Sequence, residues 1–269
     1  MFFLVDAFTK KPFCGNPAGV CIVESYPRDE ELQKIARYYD WSEIAFLKRL
    51  GESAFQIRWF SPIDEAPLCG HATLASAHVI FENELVPAQT ASFQYSGGTL
   101  FVETNNNLIK MNFPAKQVQK CHCIPFSVEK IFHIRDYVEI VKDDLLYIVV
   151  LNSPKDVINA TPDFEMIKKL DCRAIAITAR YIDSGNFDFC SRYFAPKVGI
   201  YEDPVCGSAH CRLACYWASM LRKNTFTACQ ASKRSGILYL EIEDDIVKIC
   251  GNAVTVCQLF NYMDTPLHC

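Results

Sequence analysis

One motif occurs twice in this chain, and the repeat constrains the fold more than any other feature. Residues 58–78 and 192–211 both read aromatic-Phe-small-Pro, followed by acidic-x-Pro-aliphatic-Cys-Gly-x-Ala. The cysteines of the two copies, Cys69 and Cys206, are separated by about half the chain. This duplication predicts a protein of two lobes, with the two cysteine loops facing each other across a cleft.

The repeat extends to both sides of the cysteine loops. Residues 27–35 and 162–170 both begin with proline and acidic residues and show helical spacing. Residues 98–111 and 236–249 both alternate around a polar turn and predict β-hairpins. Each half therefore predicts strands, a short helix, the Cys-Gly loop, a second helix and a hairpin, which is an α+β pattern.

The helix predicted after each cysteine loop, at residues 72–81 and 209–221, carries small and apolar residues on nearly all sides. Such a helix must be buried, and a twisted, barrel-like sheet around a central helix would bury it. We expect two pseudo-symmetric lobes of this kind. The expected boundaries are residues 1–116 for the first lobe, 117–125 for the crossover, 126–250 for the second lobe, and 251–269 for a C-terminal segment that returns to the first lobe.

Composition excludes several classes of protein. Half of the 269 residues are hydrophobic, which excludes a disordered chain. The net charge is −4 and no basic run is long, so we expect no nucleic-acid partner. No apolar stretch is long enough to span a membrane, and the first residues predict a strand and not a signal peptide. We therefore expect a cytoplasmic protein.

The chain has 14 cysteines, scattered through apolar segments, which is typical of small buried side chains in a reducing compartment. Cys121 and Cys123 flank a histidine, but a single C-x-C without a second pair is weak evidence for a metal. We expect no metal and no cofactor.

Each cysteine loop places a glycine, Gly70 or Gly207, at the predicted start of a helix. Glycine lets the backbone approach a ligand closely, and the free N–H groups of a helix start attract anions. The loops therefore predict a binding site for a small anionic substrate, most simply a carboxylate. The same field would lower the pKa of a thiol at that position.

A catalytic group is needed only once, so differences between the two copies are informative. Polar residues break the symmetry at three aligned positions: Glu43 opposite Ala174, His71 opposite Ser208, and Asp203 opposite Ala66. Glu43 lies among apolar residues, which suits a general acid–base. We expect His71 and Asp203 to orient the substrate, and Ser208, at a helix start, to bind its carboxylate.

The sequence resembles the PhzF-like family. The resemblance rests on Phe8 and on four motifs in order: Gly15-Asn-Pro-Ala-Gly-Val20, Trp41-Ser-Glu-Ile-Ala-Phe46, Leu68-Cys-Gly-His-Ala-Thr73 and Glu202-Asp-Pro-Val-Cys-Gly-Ser-Ala-His210. It implies the diaminopimelate epimerase fold, a homodimer, and a cofactor-independent isomerase. In the phenazine enzyme of that family a glutamate moves a proton along a cyclohexadiene carboxylate, and Glu43 matches it. His71, Asp203 and Ser208 match the family's other site positions.

The sequence departs from the phenazine enzyme at the paired cysteines. Cys69 and Cys206 match the two catalytic thiols of diaminopimelate epimerase, although those epimerases usually carry asparagine where this chain has His71. Three hypotheses follow: an isomerase with Glu43 as acid–base, a two-thiol racemase or epimerase, and a non-catalytic binding or redox-responsive protein in which the two cysteines form a reversible disulfide.

Overall fold

The computed structural model describes residues 1–182 and 186–259 and divides them into two compact units. Unit 1 comprises residues 1–111 and the described residues from 251 onward, and unit 2 comprises residues 112–250. The helices are α1 (Asp29–Tyr39), α2 (Gly70–Glu82), α3 (Val128–Phe132), α4 (Pro154–Asn159), α5 (Phe164–Lys168) and α6 (Gly207–Leu221), with a 3₁₀ turn at Pro196–Val198.

Both units contain several strands, so the fold is mixed α/β. The strands are β1 (Phe2–Ala7), β2 (Asn16–Val23), β3 (Ile44–Arg49), β4 (Ala54–Phe60), β5 (Glu65–Ala66), β6 (Thr90–Tyr95), β7 (Gly98–Asn105), β8 (Leu108–Pro114), β9 (Gln119–Lys120), β10 (Tyr137–Lys142), β11 (Leu146–Leu151), β12 (Ala174–Arg180), β13 (Phe189–Ala195), β14 (Ile200–Asp203), β15 (Thr225–Gln230), β16 (Gly236–Glu243), β17 (Ile246–Gly251) and β18 (Ala253–Leu259).

In unit 1, helix α2 is buried along most of its length and contacts β1, β2, β3, β7 and β18. Strand β18, from the predicted C-terminal segment, pairs antiparallel with β1. Residues 260–269 of that segment lie outside the described residues. Thr73 and Ser76 face the interior and donate their hydroxyl hydrogens to carbonyls one turn back, at 2.6 and 2.7 Å. These bonds allow polar side chains inside an apolar environment.

In unit 2, helix α6 is buried over most of its first three turns, contacts β16, and reaches β12 and β13 through Trp217. The indole N–H of Trp217 donates to the Thr178 hydroxyl at 3.1 Å, and the indole ring stacks on Phe189. The helices predicted after the two cysteine loops are therefore present. Each begins two residues earlier than predicted, at the glycine, because the preceding cysteine is the N-cap.

The two units share one order of strand pairing. In unit 1, β2 pairs parallel with β3, β3 antiparallel with β4, and β4 parallel with β6. In unit 2, β11, β12, β13 and β15 pair in the same order and directions. Ile44 lies opposite Phe60, as Ile175 lies opposite Phe194. This register aligns Glu43 with Ala174, as the sequence comparison does.

The connection between β1 and β2 depends on Gly15, which has a φ of +67°. A Cβ at this position would lie 2.1 Å from the carbonyl oxygen of Ala7, which is a backbone atom and cannot rotate away. The glycine therefore fixes where β2 begins, and with it the position of Pro17 beside the site described below.

Replacing Gly15 with alanine should lower the free energy of unfolding by about 2 kcal/mol or more, because the left-handed backbone and the backbone clash both oppose a side chain. Gly51→Ala is the matched control, since its added Cβ would meet only the Ala54 Cβ at 3.8 Å. Urea unfolding at pH 7.5 measures both. Equal midpoints for the two variants would show that the backbone at Gly15 is not constrained.

Candidate functional site

Glu43 and His71 lie side by side in unit 1. Glu43 immediately precedes β3, and its carbonyl accepts a hydrogen bond from the Gly19 amide at 3.0 Å, which anchors it to β2. His71 is the second residue of α2. The His71 Nε2 atom lies 3.2 Å from the Glu43 carboxylate, and the two side chains are 8% and 14% exposed. The predicted acid–base residue therefore has a buried imidazole as its partner.

The hydrogen-bonding pattern around His71 fixes one of its protons. The Ser42 hydroxyl donates to the carbonyl of Pro17 at 2.8 Å, and a carbonyl can only accept. The Ser42 oxygen, 3.3 Å from His71 Nε2, therefore has only lone pairs to offer to the ring. Because the Glu43 carboxylate is also an acceptor, Nε2 must carry a hydrogen. The imidazole thus donates to Glu43.

Cys69 contacts the face of the same imidazole. Its Sγ atom lies 3.4 Å from His71 Nδ1 and 3.9 Å from Nε2. Burial raises the pKa of the Cys69 thiol, and the Glu43 carboxylate raises it further, although the His71 contact opposes both. Burial by itself would lower the pKa of His71, but the negative charges of Cys69 and Glu43 outweigh burial and raise it well above the usual value. The contacts with Cys69 and Glu43 therefore favour the protonated form of His71.

The second cysteine loop, in unit 2, is held by Gln230. This fully buried side chain accepts from the Cys206 amide at 2.8 Å and donates to the Asp203 carbonyl at 2.6 Å. The Asp203 carboxylate accepts from the Val205 amide at 3.1 Å. The side-chain amide of Gln230 therefore fixes both ends of the four-residue turn from Asp203 to Cys206.

Around the Cys206 thiol, as around the Cys69 thiol, the environment disfavours ionisation, so the lowered thiol pKa predicted at the helix starts is wrong. Burial raises its pKa well above the usual value, and the Asp203 carboxylate adds to the effect. The Ser208 hydroxyl, 3.3 Å from Sγ, partly opposes this. Unlike Cys69, this thiol has a serine and not a histidine two residues away.

His210 stabilises the start of helix α6 by a hydrogen bond to its N-cap residue. It is fully buried, its Nδ1–H donates to the Cys206 carbonyl at 2.7 Å, and its Nε2 lies 3.4 Å from the Ser191 hydroxyl. Burial lowers its pKa to about 4, despite the bond to the carbonyl. His210 is therefore neutral at pH 7. In unit 1, Thr73 occupies the same position and bonds the Cys69 carbonyl in the same way.

Both cysteine loops are braced by a two-bond ion pair. Arg58 contacts Glu65 through two bonds of 2.7 Å, and Arg192 contacts Glu202 through bonds of 2.7 and 3.0 Å. The paired geometry fixes orientation as well as distance. The acidic residue that precedes each cysteine in the repeated motif thus ties its loop to the adjacent strand.

The structure therefore brings Glu43, Cys69 and His71 together beside Gly70 in unit 1. It brings Asp203, Cys206 and Ser208 together beside Gly207 in unit 2. The sequence comparison did not single out Ser42, Gln230 or His210. Ser42, directly before Glu43, and His210 both lie within the quoted motifs, and these positions were the available signals.

Comparison with known proteins decides the family. The profile of the PhzC-PhzF family, described as phenazine biosynthesis-like protein, matches residues 5–258. This chain belongs to the PhzC-PhzF family. It is 40% identical over 260 residues to an uncharacterized isomerase of Pseudomonas aeruginosa, covering 95% of both chains. At this level of similarity to isomerases, the chain is an isomerase of the family.

Solved structures agree with the fold of this PhzC-PhzF isomerase. A PhzF family protein from Enterococcus faecalis superposes with a TM-score of 0.89 at 36% identity, covering 95% of this chain and 96% of the other. A probable proline racemase from Agrobacterium radiobacter superposes with a TM-score of 0.61 at 9% identity, covering 96% and 92%. The second likeness concerns the fold alone. Among the described residues, no helix is long and apolar enough to cross a membrane.

The neutral His210 should make this PhzC-PhzF isomerase less stable in mild acid. Its pKa is about 4 in the folded state and 6.5 is the usual value, so the unfolded chain binds the proton first as the pH falls. Between pH 7.5 and pH 5 this linkage removes about 2 kcal/mol of stability. His210→Asn keeps a donor for the Cys206 carbonyl but cannot titrate, so it should lose less stability over that interval.

Urea unfolding at the two pH values measures the difference. His133→Asn is the control, because His133 is exposed and its backbone, with φ of 58°, suits asparagine. It should keep the full pH dependence. The same pH dependence in His210→Asn as in the unmodified protein would contradict the assignment of a neutral, buried imidazole.

Proposed function

We propose that this isomerase moves a proton on a small carboxylate substrate without a cofactor, with Glu43 as the acid–base. The observation that carries the proposal is the contact between Glu43 and the Nε2–H of His71, at 3.2 Å in a mostly buried setting. A carboxylate that accepts one bond from the protein keeps further lone pairs for a substrate proton. The proposal rests on this geometry together with the family.

In the proposed reaction, the Glu43 carboxylate removes a proton from a carbon of the substrate. The electron pair of that C–H bond moves into an adjacent double bond, and the double bond shifts along the substrate. The protonated Glu43 then returns the proton to a different carbon, so that no atom or electron is gained or lost. The Nε2–H of His71 keeps the carboxylate oriented in both steps.

The helix starts supply the proposed carboxylate recognition. Helices α2 and α6 begin at Gly70 and Gly207, where free amides and the helix dipole favour an anion. Ser208 can donate a hydrogen bond to a carboxylate from the first turn of α6. Asp203 already holds the loop through the Val205 amide, so we propose that it positions the loop as well as the substrate.

The finer features of the architecture are also proposals. We propose that each unit is a barrel-like sheet around its helix, α2 or α6, which the burial of both helices supports. By family resemblance, we further propose a cytoplasmic homodimer.

A two-thiol racemase or epimerase is the second candidate, because a cysteine precedes the helix in both units. This mechanism needs one thiolate and one thiol to act on the same carbon. The raised pKa values of Cys69 and Cys206 oppose a resting thiolate at either position. A reversible disulfide in a non-catalytic protein is the third candidate, and it also needs the two sulfur atoms to meet.

Glu43→Gln should keep the fold but lose about 10²–10⁴-fold in proton exchange, because the amide cannot accept a proton. Deuterium incorporation from D₂O into a cyclohexadiene carboxylate, followed by mass spectrometry, measures the loss. Glu52→Gln is the control, since Glu52 lies in an exposed turn. An unchanged rate in Glu43→Gln would refute the glutamate mechanism.

Cys69→Ser and Cys206→Ser should each cost less than Glu43→Gln in the same assay. A set of L-amino acids, followed for exchange of the α-hydrogen, tests the two-thiol alternative. Full activity in Glu43→Gln with none in both serine variants would establish the two-thiol mechanism instead. A Cys69–Cys206 disulfide found by mass spectrometry without reductant, together with no exchange into any probe, would favour the non-catalytic protein.

A further inference from the structure

The cluster of Glu43, Cys69 and His71 combines the three kinds of donor that zinc prefers in proteins: a carboxylate oxygen, a thiolate sulfur and an imidazole nitrogen. One donor atom from each residue lies within 4.8 Å of the other two. Proton transfer to a carbon requires only the carboxylate and its partner. The sulfur is therefore left without a function in the glutamate mechanism.

The distances from His71 Nε2 to the other two donor atoms are close to those in a tetrahedral zinc site. Zinc bonds of about 2.0–2.3 Å in a tetrahedron place neighbouring donor atoms about 3.3–3.8 Å apart. In the structure, His71 Nε2 lies 3.2 Å from the Glu43 carboxylate and 3.9 Å from Cys69 Sγ. Because Sγ also lies 3.4 Å from His71 Nδ1, the sulfur is over the face of the ring, and binding requires the imidazole to turn about its side-chain torsions until Nε2 points to an ion shared with Sγ and the carboxylate.

The charges also fit a divalent cation. A thiolate and a carboxylate together carry two negative charges, so Zn²⁺ would leave the site neutral. This matters because Cys69 and His71 are buried, and an uncompensated charge there would be costly. The backbone supports the donors, since Cys69 is the N-cap of α2, His71 lies in its first turn, and Glu43 is anchored to β2.

We propose that Glu43, Cys69 and His71 form a Zn²⁺ site, and that the ion inhibits the isomerase reversibly. On binding, the Cys69 thiol and the Nε2 nitrogen of His71 each lose a proton to solvent, Nδ1 keeps its proton, and the sulfur, Nε2 and the carboxylate bond to the ion. The Glu43 carboxylate is then no longer able to accept a substrate proton. The inhibition rests on the proposed function, but the binding does not.

Unit 2 provides a built-in comparison. At the positions aligned with Glu43 and His71 it has Ala174 and Ser208, so Cys206 has neither a carboxylate nor an imidazole at the matching places. Among the described residues, no other group of three such donors lies close enough to hold an ion in this way. Zn²⁺ should therefore bind at Cys69 and not at Cys206, although the two cysteines occupy equivalent positions in the repeat.

The test uses the full chain, freed of metal, with Zn²⁺ and Co²⁺ as probes. Calorimetry should detect one Zn²⁺ bound per chain, and Co²⁺ should give the near-ultraviolet charge-transfer band of a thiolate ligand. Cys69→Ser should abolish the band and weaken Zn²⁺ binding by at least ~10-fold, because even an outer partner of a zinc ligand is worth about that much. His71→Gln should weaken binding similarly. Circular dichroism checks that both variants are folded.

Cys206→Ser is the matched control and should keep both the band and the affinity. A band that survives in Cys69→Ser would overturn the proposal, because the thiolate ligand would then be another cysteine, such as the exposed Cys123 or Cys257. A band that is lost in Cys206→Ser would overturn it too, because Cys206 would then be a ligand. The absence of any bound Zn²⁺ would overturn it as well. Zinc bound as expected but without loss of proton exchange would leave the site standing and contradict the role of Glu43.

Discussion

One hydrogen bond, donated by the Nε2–H of His71 to the carboxylate of Glu43, holds the proposed catalytic pair together. The direction of that bond is not free. Because Ser42 donates its only hydrogen to the Pro17 carbonyl, the ring nitrogen between Ser42 and Glu43 must be a donor. The position of Pro17 in turn follows from the tight connection at Gly15. A constraint in the first hairpin thus sets the state of the proposed catalytic pair.

The two units share the structure of the cysteine loop but differ in the polar side chains around the thiol. Both units use a cysteine N-cap, a side chain one turn later that bonds the cysteine carbonyl, and an arginine–glutamate pair that braces the loop. At the aligned positions, unit 1 adds the contacting pair of Glu43 and His71, whereas unit 2 has Ala174 and Ser208. Burial and a nearby carboxylate raise the pKa of both thiols, so the difference between the units lies in their other polar groups.

The sequence was sufficient to predict the elements that occur in both copies of the repeat and the site residues that occur in only one copy. The helices after the cysteine loops and the proximity of Glu43, Cys69 and His71 follow from comparing the two copies, whereas the order in which the strands pair was not predicted. Gln230 was missed because its role depends on long-range register, and His210 was missed because the sequence does not show that its imidazole is buried and bonds the Cys206 carbonyl. Gln230 reaches a turn 24 positions earlier in the chain, and a buried polar residue in a strand does not reveal its partner. Their importance becomes visible only when both ends of the hydrogen bonds are known.

The coupling between Glu43 and His71 is the central claim, and a double-mutant cycle on proton exchange tests it most directly. Exchange into the cyclohexadiene carboxylate would be measured for Glu43→Gln, His71→Gln and the double variant. If the imidazole acts only through the carboxylate, the double variant should be no slower than Glu43→Gln, because residues that act as a unit are not additive. Losses that multiply in the double variant would contradict the account and show that the two side chains act independently.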